Sequence, residues 1–207
     1  MGFMTDALER LFGSANRIRI IRLFYLNPKK VFVNKEISRR AKVQNSSLRR
    51  EISLLEKIGF IKKAADSVDS KTRAGRRRKV KVKGWALNSV FPLFAPLKNL
   101  VLNVAPISRV EILKRLKNAG NVKLIVLSGI FIQDDESRVD LLIVGDSLKQ
   151  GALEREIANI EALVGKELSY SVLSTQECLY RLRMYDKFIR DILDYPHEKI
   201  LNKLDIA

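Results

Sequence analysis

The sequence predicts an α/β chain of two domains: a mainly helical amino-terminal domain closed by a β-hairpin, then a small mixed-sheet α/β domain. Three observations carry that prediction. Residues 1–100 hold 24 Lys and Arg against 7 Asp and Glu, whereas residues 101–207 hold 15 against 16, so the charge balance steps near mid-chain. Three helical periods followed by two strand-like stretches occupy the first half. The second half alternates helices with apolar strands, the pattern of helices packed on a small sheet. At 207 residues and 46% hydrophobic the chain can bury a substantial core, and the charge step favours two small domains over one large one.

The first helix is predicted after Ser14, a suitable N-cap, with Ile18, Ile21, Phe24 and Tyr25 at helical spacing until Asn27-Pro28. Asn34 is expected to cap a short helix to about Arg40, with Ile37 and Ala41 inward. Lys42-Val43-Gln44 then turns the chain into a helix from about Asn45 to Ile58. On that helix Leu48, Ile52, Leu55 and Ile58 form the apolar stripe, Arg49, Arg50 and Ser53 lie opposite, and Gly59 ends it. Phe60–Lys63 and Val80–Trp85 have strand character, and the loop expected between them carries six basic residues from Lys71 to Lys79. Ala86-Leu87-Asn88 closes this unit, and Phe91–Val104 is expected as a connecting helix with Pro92 and Pro96 near its first turn.

In the second half a helix is expected over Ile107–Asn118, with Val110, Leu113 and Leu116 as its stripe. Buried strands follow at Val122–Ser128 and Val139–Val144, then a helix at Gly151–Val164, a strand around Leu168–Leu173 and a helix over Thr175–Ile192. The resulting boundaries are 1–88, a connecting helix at 89–104, and 105–207.

Composition narrows the chemistry. Cys178 and His197 are the single cysteine and histidine, which leaves no disulfide within the chain and no cysteine-rich zinc site. A Cys/His nucleophile pair is outweighed by a core thiol and a surface imidazole. No metal or cofactor is expected. The sequence has no apolar run of membrane-spanning length, and its start lacks a signal-peptide pattern, so a cytoplasmic protein with no membrane partner is expected.

The helix order, the turn and the segment from Gln44 to Phe60 resemble the winged helix-turn-helix of MarR- and ArsR-type regulators, over residues 14–88. The resemblance implies a recognition helix in the major groove of duplex DNA. Asn45, Ser46, Ser47, Arg49, Arg50 and Ser53 have the chemistry for base edges and phosphates. The bland alternative for Arg49 and Arg50 is a solvated face. In the hairpin Arg73, Arg76, Arg77, Arg78 and Lys79 would follow the backbone or enter the minor groove, supplying affinity more than sequence choice. No aromatic stacking platform for RNA stands out from the sequence alone.

Val122–Asp146 resembles the opening of the minimal nucleotidyltransferases of the DNA polymerase beta superfamily. Gly129 matches the family glycine and Asp140 one of its metal-binding acids. Ile130 replaces the phosphate-binding serine, Arg138 stands at the other acidic position, and Ser169, Tyr170 and Ser171 occupy the strand of the third carboxylate. Asp134, Asp135 and Glu136 are expected in a solvated turn. Two-metal chemistry needs several oxygen ligands, so the resemblance implies a nucleotidyltransferase-like scaffold without the reaction, and Asp140 is expected to accept hydrogen bonds or pair with Arg138 or another cation. The combined expectation is a homodimeric transcriptional regulator with duplex DNA as partner and a small-molecule or protein effector at the second domain. The apolar stripe of the connecting helix is either a dimer interface or buried against its own chain. The alternatives are an active nucleotidyltransferase targeted by its winged helix, and an antitoxin-like partner protein.

Overall fold

Two small β-sheets and the helices around them form a mixed α/β structure in this computed structural model, which describes residues 3–71, 77–134 and 136–206. The chain divides into two compact units, Met1–Pro106 with Glu161–Lys166, and Ile107–Ile160 with Glu167–Ala207. The segment expected to connect two domains therefore belongs to the first unit. Among the described residues no helix is long and apolar enough to cross a membrane.

In the first unit α1 (Phe3–Phe12), which the sequence reading leaves unassigned, buries Leu8. Ser14 caps α2 (Ala15–Leu26), its Oγ accepting the Arg17 N–H at 3.2 Å. The expected stripe on α2 is too narrow: Ile20, Arg22 and Leu23 are buried as well as Ile18, Ile21, Phe24 and Tyr25, so α2 is a central helix covered nearly all round. α3 (Asn34–Ala41) starts one residue differently from expectation. Val33 is the N-cap, and the Asn34 side chain instead accepts a hydrogen bond from Trp85 Nε1 at 2.8 Å. Lys42, at φ 50°, turns the chain towards α4 (Asn45–Lys57).

α4 ends as its glycine predicts. Gly59 has φ +78°, and the N–H groups of Gly59 and Phe60 donate to Glu56 O and Leu55 O, both at 2.9 Å. This satisfies carbonyls that the helix end would leave open. Ile58 departs from expectation, 49% exposed: it is the C-cap, and at about 100° per residue it falls roughly 60° beyond Leu55, outside the buried arc.

β1 (Ile61–Lys71) and β2 (Arg77–Leu87) pair antiparallel over eleven residues each, from Ile61 opposite Leu87 to Lys71 opposite Arg77. The hairpin is thus longer than expected. Lys71, Arg77, Arg78 and Lys79 belong to strands and not to a loop, because main-chain pairing does not require apolar alternation in the sequence. A bridge between Phe32 and Trp85 ties the base of the hairpin to the core. There Phe24, Tyr25, Phe32, Phe60, Phe91 and Phe94 meet edge to face at centroid distances of 5.2–6.4 Å.

α5 (Phe94–Leu102) is shorter than the predicted Phe91–Val104 helix, with Pro96 in its first turn and Pro92 before it. Val101 is fully buried, and Phe94, Leu97, Leu102 and Val104 pack on the same core, while Leu100 stays 44% exposed. Most of the proposed dimer stripe is therefore covered by its own unit.

The second unit holds a four-stranded sheet of order β5-β4-β3-β6. β3 (Asn121–Leu127) pairs antiparallel with β4 (Leu141–Asp146) and with β6 (Glu198–Asn202), and β4 runs parallel to β5 (Tyr170–Leu173). α6 (Arg109–Lys117) buries Ile112 and Leu116 and leaves Val110 73% exposed, correcting the predicted stripe by part of a turn. α7 (Gln150–Val164) buries Leu153, Ile157 and Ile160. The single last helix of the sequence reading is two, α8 (Thr175–Arg183) and α9 (Lys187–Leu193). Tyr185 at φ 52° breaks the run, and Asp186 caps the second helix through the Ile189 N–H at 3.2 Å.

Arg22 is the one buried cation among the described residues. Its guanidinium donates to the carbonyls of Val101, Val104 and Leu163, each at 3.3 Å, at or just beyond the carboxyl ends of α5 and α7. Burial lowers its pKa to about 10, and the charge of Glu9 partly opposes that shift. Carbonyl ends of helices carry partial negative charge, so these three carbonyls at two helix ends hold the cation.

Candidate nucleic-acid interface

At about 100° per residue, Asn45, Ser46, Arg49, Arg50 and Ser53 occupy an arc of roughly 140° on α4. All five are exposed. Leu48, Glu51, Ile52 and Leu55 are buried on the opposite side, and Ser47, half-buried, sits between the two faces. The sequence-predicted polar set is thus one surface, with Ser47 at its margin.

What aims that surface is a residue the sequence reading missed. Glu51 is fully buried, its carboxylate accepting from Ser14 Oγ at 2.7 Å and from Arg17 Nε at 2.8 Å. Arg17 also donates to Phe12 O at 2.6 Å. A carboxylate inside a core needs such partners, so the pair sets the rotation of α4 about its axis against α2. Only spacing could have signalled this: at about 100° per residue Glu51 falls at the edge of the inward arc, roughly 40° from Leu55 and 60° from Leu48.

Acidic neighbours within the first unit are already engaged. Glu36 pairs with Lys30 at 2.8 Å and Arg40 at 3.0 Å, and Glu56 with Lys63 at 3.2 Å. Arg49, Arg50, Lys35, Lys81 and Lys83 are exposed and make no ion pair among the described residues. A concavity of about 440 Å³ opens between α3 and α4, lined by Asn34, Lys35, Ser38, Asn45, Leu48 and Arg49. Neither helix start has a side-chain cap, so first-turn N–H groups have no such partner.

In the hairpin, Arg73 and Arg76 lie outside the described residues. Arg77, Arg78 and Lys79 are strand residues opposite Lys71, Ser70 and Asp69. Lys81, Lys83 and Trp85, which the sequence reading did not single out as site residues, continue that strand.

The second unit brings Gly129 and Asp140 together but takes Arg138 elsewhere. Gly129, at φ +56°, opens a 3₁₀ turn over Gly129–Phe131 directly against the Asp140 carboxylate, which a Cβ would strike. One Asp140 oxygen accepts the Ile130 N–H at 2.9 Å and the other the Ser169 N–H at 2.8 Å. Arg138 pairs with Asp191 at 2.7 Å rather than with Asp140. The Asp134 carboxylate is occupied locally, accepting from Glu136 N–H at 3.0 Å and Ser137 Oγ at 2.8 Å, and these bonds lower its pKa. Asp135 lies outside the described residues. Among the described residues no three His, Cys, Asp or Glu side chains are grouped to hold a metal ion. Cys178 is buried in the second core, and burial raises its pKa.

No protein-family model, curated protein or solved structure matches this chain.

Proposed function

We propose that the chain binds duplex DNA as a transcriptional regulator, with a winged helix-turn-helix in its first unit and a nucleotidyltransferase-like second unit that supports assembly or senses an effector without catalysis. The observation that carries this reading is the surface of α4: Asn45, Ser46, Arg49, Arg50 and Ser53 share one exposed arc, on the side away from buried Glu51 and its half-buried partner Arg17. A helix with such a face fits the major groove, where Arg pairs with guanine and Asn with adenine. The antiparallel hairpin beyond it would act as the wing, its cations adding backbone affinity. In the second unit, the engagement of both Asp140 oxygens by main-chain donors supports a structural role for that acid. The regulator is proposed to act as a dimer in the cytoplasm, two-fold sites being a common way for small modules to gain specificity.

Fluorescence anisotropy of a labelled duplex, titrated at stepped salt concentrations, tests this. Binding should weaken steeply with salt, with log K falling by about 0.9 per phosphate contact in each decade. Arg49→Ala with Arg50→Ala should cost about tenfold or more on a selected sequence and less on random sequence. Equal losses on both would place these arginines on phosphates alone, and no loss would remove α4 from the interface.

A further inference from the structure

We propose that one face of the hairpin is a binding platform for single-stranded nucleic acid, with Trp85 stacking on an unpaired base and lysines on the flanking phosphates. This goes beyond duplex binding by α4 and does not depend on it. The register supplies the first observation. Lys63 lies opposite Trp85, Ala65 opposite Lys83 and Ser67 opposite Lys81. Side chains alternate along strands and directly paired residues share a side, so these six positions belong to one face. Asp66, opposite Val82, belongs to the other.

Shape supplies the second observation. A concavity of about 450 Å³ is lined by Lys63, Ala64, Ala65, Lys83, Gly84 and Trp85. Its lining combines three small residues, the indole and the stems of two lysines. This combination suits a flat apolar ring with an anion on either side. An isolated anion would leave the ring unused, and an apolar ligand would leave the lysines unused.

Geometry of the cations supplies the third. Lys81 and Lys83 stand two residues apart on one strand, about 7 Å, comparable with the separation of successive phosphates on an extended strand. Neither makes an ion pair among the described residues. The indole is anchored from behind by Nε1 donating to Asn34 Oδ1 at 2.8 Å and by packing on the core, so it offers a rigid surface. Lys63 Nζ lies over the ring, 6.0 Å from its centroid, and also pairs with Glu56 at 3.2 Å. An entering base takes the place of that ammonium, and its flexible stem lets the charge turn to the phosphate.

Trp85 is the single tryptophan of the chain, so its emission reports on this face. The full-length protein is titrated with oligothymidylate, with oligouridylate, and with oligothymidylate annealed to oligoadenylate, while anisotropy of a labelled selected duplex independently reads α4. Strong quenching by either single strand, with little by the duplex, is expected, and the stronger of the two tells DNA from RNA. Equal quenching by duplex and single strands would overturn the proposal, assigning the face to ordinary wing contacts, and so would absence of quenching by all three. Trp85→Ala removes the reporter, so its binding is read by anisotropy of labelled oligothymidylate; it should weaken single-strand binding by about 5-fold to 100-fold, and a loss no larger than the one it causes on the duplex would overturn the stacking role. The exposed pair Lys81→Ala with Lys83→Ala leaves the core intact and should make the single-strand salt slope shallower by about 1.4. An unchanged slope would overturn the lysines' role. Loss of duplex binding with retained single-strand quenching would sink the α4 reading and leave this one standing.

Discussion

Glu51 in the first unit and Asp140 in the second are both carboxylates in apolar surroundings, 0% and 7% exposed, yet side chains hold one and main chain holds the other. Glu51 takes its donors from Ser14 and Arg17, so it joins α4 to the start of α2 beneath a face whose Arg49 and Arg50 make no ion pair among the described residues. Asp140 takes its donors from Ile130 and Ser169, so it shapes a turn and docks the approach to β5 against β4. The difference teaches that burial of an acid says little about its task until its partners are named. Side-chain partners fix one helix against another, and main-chain partners fix the path of the chain.

The sharpest way to break the comparison is Glu51→Ala, which strands the Arg17 guanidinium and the Ser14 hydroxyl. A loss of about 3 kcal/mol in urea denaturation is expected, with duplex affinity falling as α4 loses its fixed rotation. Stability equal to wild type would show that α4 is held by its apolar face alone. Asp140→Ala should cost somewhat less, about 2 kcal/mol, because it leaves two N–H groups without their acceptor. Asp140→Asn, which keeps one acceptor, should fall between. If Asp140→Ala were stabilising in the same denaturation measurement, the acid would be held at a cost and its structural role would fail.

A third carboxylate gives the smallest effect and sharpens the contrast with an exposed case. Asp146 accepts from Lys123 at 2.8 Å and from the Thr175 N–H and hydroxyl at 3.0 and 2.7 Å. The hydrogen bonds from Lys123 and Thr175 lower its pKa from 3.8 to about 2. The unfolded chain therefore takes up this proton at higher pH than the folded one. The stabilisation is complete above the ordinary value of 3.8 and is lost as pH falls towards about 2. Asp146→Asn should flatten that acid limb in thermal melts recorded across the same window. An unaltered limb would place the acid sensitivity on other groups.

Local signals made much of the first unit legible. Ser14 and Gly59 mark helix ends through their own chemistry, and the period of Leu48, Ile52 and Leu55 places the buried side of α4 whatever surrounds it. The polar arc of the candidate interface follows from that period. Other features left weak traces. β6 is a short strand whose place is set by pairing with β3, and the hairpin extends through polar residues with little alternation of their own. Val110 and Ile58 are apolar residues that lie off the buried arcs of their helices. Tyr185 breaks a continuous helical pattern with a left-handed residue, a choice that composition does not announce.

By itself the sequence determined the charge step, α2 to α4 of the first unit and the alternation of the second, because caps, periods and net charge act over a few residues. Tertiary structure alone decided that Glu51 is buried and paired, that Asp140 answers to two distant N–H groups, and that Trp85 stands among lysines with its indole fixed to Asn34. Those outcomes depend on hydrogen-bond partners 10 to 51 positions away, and no local preference specifies which group will complete a hydrogen bond or cover a ring.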